Sequence, residues 1–396
     1  MNNIDSLYFD YQATTPVDER VLARMLPYFQ ESFGNPHSSE HSFGWQSSRA
    51  VDQSVGQISS LIGADTDEII FTSGATEANN MALLGLARHD PDKNKRNRII
   101  LSAIEHKCVL AVGRVLENKL GFQVDTLPVD KSGRVSPSDL EHAIDDDVLA
   151  VSIMAVNNEI GTIQDIARIY EIVRQTGALF HCDAAQAPMA IEMHDFVQNV
   201  DLMSLSAHKI YGPKGIGVLY ARRDIQNRLE PLIYGGGQQS GLRSGTIPTP
   251  LVVGMGVAAE ILNSEDTGRL RTTLRERRDR FVKKLSGLPW PIMLNGPAVN
   301  YRHPGNANIC FKDFSSHDIL NVLQPRLAAS TGSACASGTP EPSHVLRAIG
   351  LSHEDAESSI RFSLGLGTSD GDIDKAVRLI GEALSRLSDT SPKSMV

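Results

Sequence analysis

The sequence predicts an α/β protein in which helices cover both faces of a mainly parallel β-sheet, followed by a smaller α+β domain. Short apolar runs alternate with helical patterns between residues 68 and 221, and this alternation is typical of a parallel sheet. The pattern changes after Pro250, where long helices dominate. With 396 residues, the chain is long enough for two or three domains with a substantial core.

The first part of the chain alternates short apolar segments with amphipathic ones. Strands are predicted at 68–72, 98–102, 149–156, 178–182, 202–205 and 218–221. Helices are predicted at 18–29, in a stretch that ends at Leu61, and at 75–88, 109–120 and 166–176. Ligands of such sheets bind beyond the carboxyl ends of the strands. The residues that follow each strand are therefore the first candidates for a functional site.

The second part opens with an apolar helix at 251–262 and a strongly charged helix at 269–285, which is long enough to bridge two domains. Strands are predicted at 308–311 and 360–364, and helices at 318–323, 343–349 and 372–387. We therefore predict a large domain at 15–260 and a small domain formed by 1–14 together with 261–396. The small domain carries a loop of small residues at 328–342.

The composition excludes several classes of protein. Hydrophobic residues make up 41% and charged residues 21% of the chain, as in soluble globular proteins, and no apolar run reaches the roughly 18 residues of a membrane span. A net charge of −9 without a long basic run argues against direct binding of nucleic acid. No signal-peptide pattern is visible, so we expect a cytoplasmic protein without a membrane partner.

The four cysteines, Cys108, Cys182, Cys310 and Cys335, are scattered and lack the CxxC spacing of metal sites. We therefore expect free thiols and no bound metal. Three of them lie in or beside apolar stretches, where burial is the ordinary outcome. Cys335 differs, because the loop at 328–342 has no large apolar side chain to anchor it. An exposed thiol on a mobile loop suits a nucleophile that visits a site and then leaves it.

Lys209 follows the buried strand at 202–205 and precedes a Gly-Pro-Lys-Gly turn. A charged and unpaired lysine at the end of a buried strand is costly. One reason to place it there is covalent chemistry, in which the amine forms a Schiff base with a carbonyl cofactor. The alternative is an ordinary solvated lysine in a loop.

Other strand ends offer polar groups of the types that pyridoxal phosphate chemistry uses. The turn at 73–76 opens a helix, and free N–H groups there suit a phosphate, although capping by Ser73 or Thr76 explains it equally well. Asp183 suits a protonated pyridine nitrogen, although an N-cap role explains it too. His106 suits ring stacking and proton transfer, although structural histidines are more common. The convergence of these groups favours a pyridoxal phosphate site.

Taken together, the motifs resemble those of the cysteine desulfurases, which belong to the class V aminotransferase superfamily of fold-type I pyridoxal phosphate enzymes. The motifs are SAHK at 206–209 with GPKG at 212–215, TSGATE at 72–77, EHK at 105–107, VNNEIG at 156–161, HCDAAQ at 181–186, RSGT at 243–246 and GSAC at 332–335. The long Cys335 loop is similar to that of group I. The resemblance covers residues 8–387 and implies a mainly parallel seven-stranded sheet flanked by helices.

The resemblance also implies roles for individual residues. Lys209 would hold the cofactor and transfer a proton, His106 would stack on the cofactor ring and share the acid–base steps, and Cys335 would be the nucleophile. Asn157 and Arg361 would bind the substrate carboxylate. The remaining cofactor contacts would be Asp183 to the pyridine nitrogen, Gln186 to the phenolic oxygen, and Ala75, Thr76, Ser206 and His208 to the phosphate. Thr246 would reach the phosphate in the partner subunit, which implies a homodimer.

By this resemblance, the chain removes sulfur from L-cysteine, releases L-alanine and leaves a persulfide on Cys335, from which an acceptor protein takes the sulfur. The C-terminus is short and polar, so tRNA thiolation or sulfur modification of DNA is expected beside iron–sulfur cluster assembly. The alternatives are a selenocysteine lyase, another class V enzyme, or a catalytically idle protein of this fold. The thiol loop argues against an aminotransferase, and the joint presence of Lys209, His106 and Cys335 argues against an idle protein.

Overall fold

The computed structural model describes residues 6–89, 96–264, 266–331 and 342–390. The strands are β1 Leu7–Tyr8, β2 Ile69–Thr72, β3 Arg98–Ser102, β4 Gln123–Leu127, β5 Val148–Ser152, β6 Leu179–Asp183, β7 Leu202–Ser206, β8 Gly217–Ala221, β9 Ile292–Leu294, β10 Asn306–Phe311, β11 Leu327–Ala328 and β12 Ser359–Ser363. The α-helices are α1 Glu19–Met25, α2 Pro27–Gln30, α3 Ser42–Ile62, α4 Ala75–His89, α5 Lys107–Leu120, α6 Pro137–Ala143, α7 Ile166–Thr176, α8 Thr249–Leu262, α9 Thr267–Leu285, α10 Ser316–Leu323, α11 His344–Ala348, α12 His353–Glu357 and α13 Asp370–Thr390.

The central sheet has seven strands in the order β2-β8-β7-β6-β5-β3-β4. β8 runs antiparallel to both of its neighbours, and every other pair is parallel. β2, β3, β5, β6 and β7 therefore point in one direction and end at the same edge of the sheet. The predicted mainly parallel seven-stranded sheet is confirmed.

Helices cover both faces of this sheet. Apolar residues of α4 and α5 pack on one face, and apolar residues of α3, α7 and α8 pack on the other. β7 lies inside the sheet, between β8 and β6, and all five of its residues are buried. This explains why its sequence is a continuous apolar and small-residue run rather than an alternating one. Within the described ranges, no helix combines the length and the apolar composition that crossing a lipid bilayer requires.

A second group of elements surrounds two smaller sheets. β12, β10 and β9 form an antiparallel sheet, and β1 pairs in parallel with β11. The core of this part contains the buried rings of Phe281, Phe311 and Phe362, which contact one another edge-on. The first residues of the chain thus pack with its C-terminal part, while the domain boundaries at 14/15 and 260/261 stay predictions.

The segment 10–15 connects the two groups of elements. The backbone N–H of Gln12 donates to Ser363 Oγ at 2.9 Å, across a separation of 351 positions in the chain. A few residues later, the backbone N–H of Thr15 donates to the carbonyl oxygen of His208 at 3.0 Å. The segment therefore lies between the end of β12 and the turn that follows β7.

The structure differs from the prediction at several elements. The strand expected at 149–156 ends at Ser152, because the backbone turns toward Glu105, whose carboxyl group accepts a hydrogen bond from the N–H of Met154 at 2.7 Å. β4, α6 and β9 were not predicted. β4 lies at the edge of the sheet and is only partly buried, so its sequence lacks the apolar run that marks the inner strands.

Candidate active site

A cavity of about 470 Å³ opens at the edge of the sheet where β2, β3, β5, β6 and β7 end. Its walls come from the segments that follow β2, β3, β5, β6 and β7. Eight residues singled out from the sequence line it: Ala75, Thr76, His106, Asp183, Gln186, Ser206, His208 and Lys209. The common direction of the strands thus brings together groups that are far apart in the chain.

Lys209 lies in a short 3-10 helix, Ala207–Lys209, directly after β7. Its Nζ donates hydrogen bonds to the carbonyl oxygens of Gln12 at 2.6 Å and Ala13 at 2.8 Å. Burial and, less strongly, the positive charge of Arg361 lower the pKa of Lys209 to about 8, against the opposing effect of Asp183 and Asp10. The amine is therefore partly neutral, and so nucleophilic, near physiological pH.

His106 is the N-cap of α5, and its Nδ1 accepts a hydrogen bond from the backbone N–H of Cys108 at 3.2 Å. Burial lowers the pKa of His106 from its usual value, with the positive charges of Lys209 and Lys107 acting in the same direction and Asp183 opposing them. The ring is therefore neutral at physiological pH. An N–H donor at Nδ1 fixes this nitrogen as the acceptor, which leaves the ring hydrogen on Nε2.

Asp183 is the last residue of β6 and is only 5% exposed. One carboxyl oxygen accepts a hydrogen bond from Asn79 Nδ2 at 2.7 Å, and the other accepts from the backbone N–H of Ala185 at 3.0 Å. Nearby, Gln186 Nε2 donates to the carbonyl oxygen of Gln12 at 3.0 Å. Both side chains are therefore oriented by other groups while they line the cavity.

The turn between β2 and α4 forms another wall. Gly74 has a φ of 146°, which other residues rarely adopt. β8 approaches it so closely that a Cβ on Gly217 would lie 2.6 Å from the Cα of Gly74. Two glycines are thus needed for this turn to lie against the sheet. α4 begins at Ala75, and the first N–H groups of a helix have no partner within it and attract anions.

His208 lies next to this turn and is held by its Nδ1, which is 3.1 Å from Thr14 Oγ1. Burial and the charges of Lys209 and Lys214 lower the pKa of His208 to about 4. The neutral imidazole therefore acts as a hydrogen-bonding group and not as a cation.

These groups fit pyridoxal phosphate. The glycine turn and helix start suit its phosphate, and the carboxyl group of Asp183 suits its ring nitrogen. The imidazole of His106 suits the face of its ring, and the amine of Lys209 suits its aldehyde. The cavity is concave and brings several polar side chains together, as cofactor sites usually do.

The structure separates Asn157 from its neighbour Asn158. The side chain of Asn157 is fully buried, donates to the carbonyl oxygen of Ile104, and accepts from the N–H groups of Glu159 and Ile160. Its polar atoms are thus used to shape the loop after β5. Asn158 lines the cavity instead. Both residues belong to one VNNEIG motif, in which nothing distinguishes the two amides.

The other predicted residues lie outside the cavity wall. Arg361 is 5% exposed and donates to Asp10 Oδ1 at 2.7 Å, to Ser330 Oγ at 2.8 Å and to the carbonyl oxygen of Asn158 at 3.0 Å. Thr246 is exposed. Cys335 lies outside the described residues, as does most of the predicted loop at 328–342.

Sequence reasoning also missed Asn79 and Cys108, which lie beside the predicted residues. Cys108 lines the cavity, and Asn79 is fully buried on α4. Asn79 could have been identified as an amide on the apolar face of a helix, because a buried polar group there needs a specific partner.

Comparison with known proteins agrees with this site. The sequence profile of the family Aminotransferase class-V matches residues 7–376. The chain is 48% identical to the cysteine desulfurase IscS of Rickettsia akari (strain Hartford), over 99% of this chain and 94% of that protein. A solved NifS-like protein superposes with a TM-score of 0.89 at 35% identity, covering 96% of this chain and all of that one. An SspA protein solved in complex with cysteine has a TM-score of 0.79 at 39% identity and covers 91% of this chain and 99% of that one.

The chain belongs to the class V aminotransferase family, whose members of this fold type use pyridoxal phosphate. Within that family it is a cysteine desulfurase.

The depressed pKa of Lys209 predicts how fast the amine reacts with an aldehyde. Only the neutral amine attacks a carbonyl, so the rate of cofactor uptake by the apoenzyme should rise with a midpoint near pH 8. An ordinary lysine would place the midpoint near 10.5. Stopped-flow absorbance after mixing apoenzyme with pyridoxal phosphate measures the rate, and the Lys209→Ala variant serves as the blank. A midpoint near 10.5 would contradict the buried environment described for this amine.

Proposed function

We propose that the residues around the cavity divide the work of cysteine desulfuration among them. The observation that carries this proposal is the convergence of eight sequence-selected residues on one cavity at the ends of five strands. Bound pyridoxal phosphate supplies an aldehyde for the substrate amine and a protonated ring that withdraws electrons from the substrate Cα. The protein must hold that ring, move protons at defined atoms and receive the sulfur.

Lys209 and Asp183 perform two of these tasks. The Nζ of Lys209 binds the aldehyde in the resting enzyme and, once released, takes the proton from the substrate Cα, for which a pKa of about 8 is well suited. The carboxyl group of Asp183 keeps a proton on the ring nitrogen, and its hydrogen bond from Asn79 fixes its orientation. His106 packs against the ring face, where its neutral imidazole adds no charge.

The start of α4 would hold the phosphate through the N–H groups of Ala75 and Thr76, with Ser206 and His208 lining the same cavity. Gln186 would contact the phenolic oxygen. The amide that contacts the substrate carboxylate or the cofactor is that of Asn158, because the amide of Asn157 is committed to backbone groups. Arg361 supplies the positive charge next to Asn158.

Cys335 takes the sulfur of L-cysteine. Its thiolate forms a bond to that sulfur as the bond from sulfur to Cβ breaks, so that the products are L-alanine and a persulfide on Cys335. Both flanks of its segment are tied to the loop after β5. Arg361 joins Ser330 to Asn158, and Ser343 donates to Glu159 Oε2.

The enzyme works as a homodimer in the cytoplasm and passes the sulfur to an acceptor protein. Thr246 is not among the residues that line the cavity, and it is exposed beside Gly245. The preceding turn exposes Ile233 and Tyr234, which are 40% and 68% accessible in the single chain. Such apolar groups beside a polar contact residue favour a subunit interface. The acceptor serves iron–sulfur cluster assembly or the sulfur modification of tRNA or DNA.

The role of Cys335 is tested by incubating the holoenzyme with L-cysteine and mapping its peptides by mass spectrometry. We expect one additional sulfur atom on the peptide that contains Cys335, and none on the peptides with Cys108, Cys182 or Cys310. The Cys335→Ala variant should keep the cofactor absorbance but form no persulfide. Persulfide on another cysteine, or full alanine production by Cys335→Ala, would refute the proposal.

Substitution by alanine should reduce activity at Asn158 and stability at Asn157. The Asn158→Ala variant should lower kcat/KM for L-cysteine by about 10- to 100-fold, because a hydrogen bond to a charged group is lost, with an unchanged melting temperature. The Asn157→Ala variant should instead destabilise the protein by about 1–3 kcal/mol, because it leaves buried N–H and carbonyl groups unpaired. Steady-state kinetics and thermal unfolding separate the two effects, and equal effects of both variants on stability would contradict the assignment.

Subunit mixing tests whether Thr246 acts across the dimer. The Thr246→Ala homodimer should bind pyridoxal phosphate about 10-fold more weakly, because a hydrogen bond to the phosphate is lost. In a heterodimer of one Lys209→Ala subunit and one Thr246→Ala subunit, the site that keeps Lys209 receives an intact Thr246 from the other chain. That site should therefore bind the cofactor with native affinity, measured by the absorbance of the lysine-linked form. Weak binding in the heterodimer would show that Thr246 serves its own subunit.

A further inference from the structure

Cys108 occupies a position in the cavity wall that the proposed reaction does not use. Its Sγ lies 3.0 Å from Nδ1 of His106. Burial, together with the negative charge of Asp183, raises the pKa of Cys108 to about 11. The group is therefore a thiol and not a thiolate at physiological pH. A thiol accepts sulfur poorly, but its S–H can donate a hydrogen bond.

Asn79 joins this thiol to Asp183. Its Nδ2 lies 3.3 Å from Cys108 Sγ and 2.7 Å from Asp183 Oδ2. A carboxylate oxygen can only accept, so the nitrogen of the amide must face it, and the two hydrogens of that nitrogen serve the two partners. The side chain of Asn79 is fully buried and therefore well shielded from water.

The carboxylate of Asp183 can only accept, which fixes the direction of the hydrogen bonds from Asn79. The thiol of Cys108 also shares a hydrogen bond with Thr76, and its contact with Nδ1 of His106 at 3.0 Å lets it donate there. Asn79 donates to Asp183 and to the sulfur of Cys108, and the thiol donates in turn to Nδ1 of His106. That nitrogen already accepts the backbone N–H of Cys108, so it carries the lone pair. The thiol of Cys108 both accepts from Asn79 and donates to His106, which strengthens both bonds. The carboxyl group beneath the proposed ring nitrogen is thereby connected to the imidazole on the proposed ring face.

We propose that Asn79 and Cys108 are positioning residues that hold His106 in the tautomer with its hydrogen on Nε2 and couple it to Asp183. This inference rests on the functions proposed above for His106 and Asp183. In this tautomer neither nitrogen of the neutral ring has a free lone pair. His106 therefore orients groups through its Nε2–H, and the removal of the Cα proton is left to Lys209.

Several charged or titratable groups act on His106 besides this chain of hydrogen bonds: Asp183, Lys209, Lys107 and His344. All four of these residues are still present in variants of Asn79 and Cys108. A shift in the titration of His106 in those variants therefore reports the hydrogen bonds. Removal of the thiol donor favours protonation at Nδ1, so the pKa of His106 should rise.

The test uses the holoenzyme with 15N-labelled histidine. The signals of His106 are assigned as those that disappear in His106→Gln, and their pH dependence and nitrogen shifts report the pKa and the tautomer. In Cys108→Ala we expect the pKa of His106 to rise by about 0.5 to 1, the size of one hydrogen bond, with a population protonated at Nδ1. Cys108→Ser retains an O–H donor and should restore most of the native titration.

Two controls keep the outcome decisive. Cys310→Ala removes another buried thiol in the second group of elements and should leave the titration of His106 unchanged. Cys335→Ala abolishes the proposed sulfur transfer but should also leave the titration of His106 unchanged. A failure of the reaction scheme is thereby distinguished from a failure of this inference.

Asn79→Ala should shift the titration of His106 in the same direction as Cys108→Ala, and the double variant should shift it by less than the sum of the two. A native titration in Cys108→Ala, or an equal shift in Cys310→Ala, would overturn the inference.

Discussion

The shared direction of β2, β3, β5, β6 and β7 is the constraint on which the rest of the molecule depends. Because these strands are parallel, each one delivers its last residue to the same edge of the sheet. The sheet is buried on both faces, so this edge is one of the few places where polar groups can face a cavity. The antiparallel strand β8 does not interrupt the arrangement, since it returns between β2 and β7 and contributes a glycine against the turn after β2.

The segment 10–15 holds several of the residues that line the cavity at the edge of the sheet. Its carbonyl oxygens bind the amine of Lys209 and the amide of Gln186, and Thr14 holds His208. The amine is thus kept in a place where water is scarce, which is the main reason for its low pKa. The same burial keeps the neighbouring imidazoles neutral. Low polarity, rather than any single charged partner, sets the protonation states around the cavity.

The sequence alone was sufficient for the fold class and the enzyme family, because buried parallel strands and the residues after them follow strong local patterns. Lys209, Asp183 and His106 were found for this reason. Local patterns do not reveal which of two adjacent amides points outward, and the cavity is lined by Asn158 rather than Asn157. They also do not reveal Asn79, whose partner Asp183 is 104 positions away. The edge strand β4 is not predicted from the sequence, because it is partly exposed to solvent and lacks a continuous apolar run.

The hydrogen bond between Gln12 and Ser363 has a consequence for synthesis of the protein on the ribosome. It joins the beginning of the chain to its last strand, 351 positions later. The large sheet can form as soon as β8 has left the exit tunnel, and segment 10–15 can then contact His208 and Lys209. Its contact with Ser363 must wait until β12 has been made. During translation this segment is therefore held from one side only, and it gains its second attachment when synthesis is almost finished.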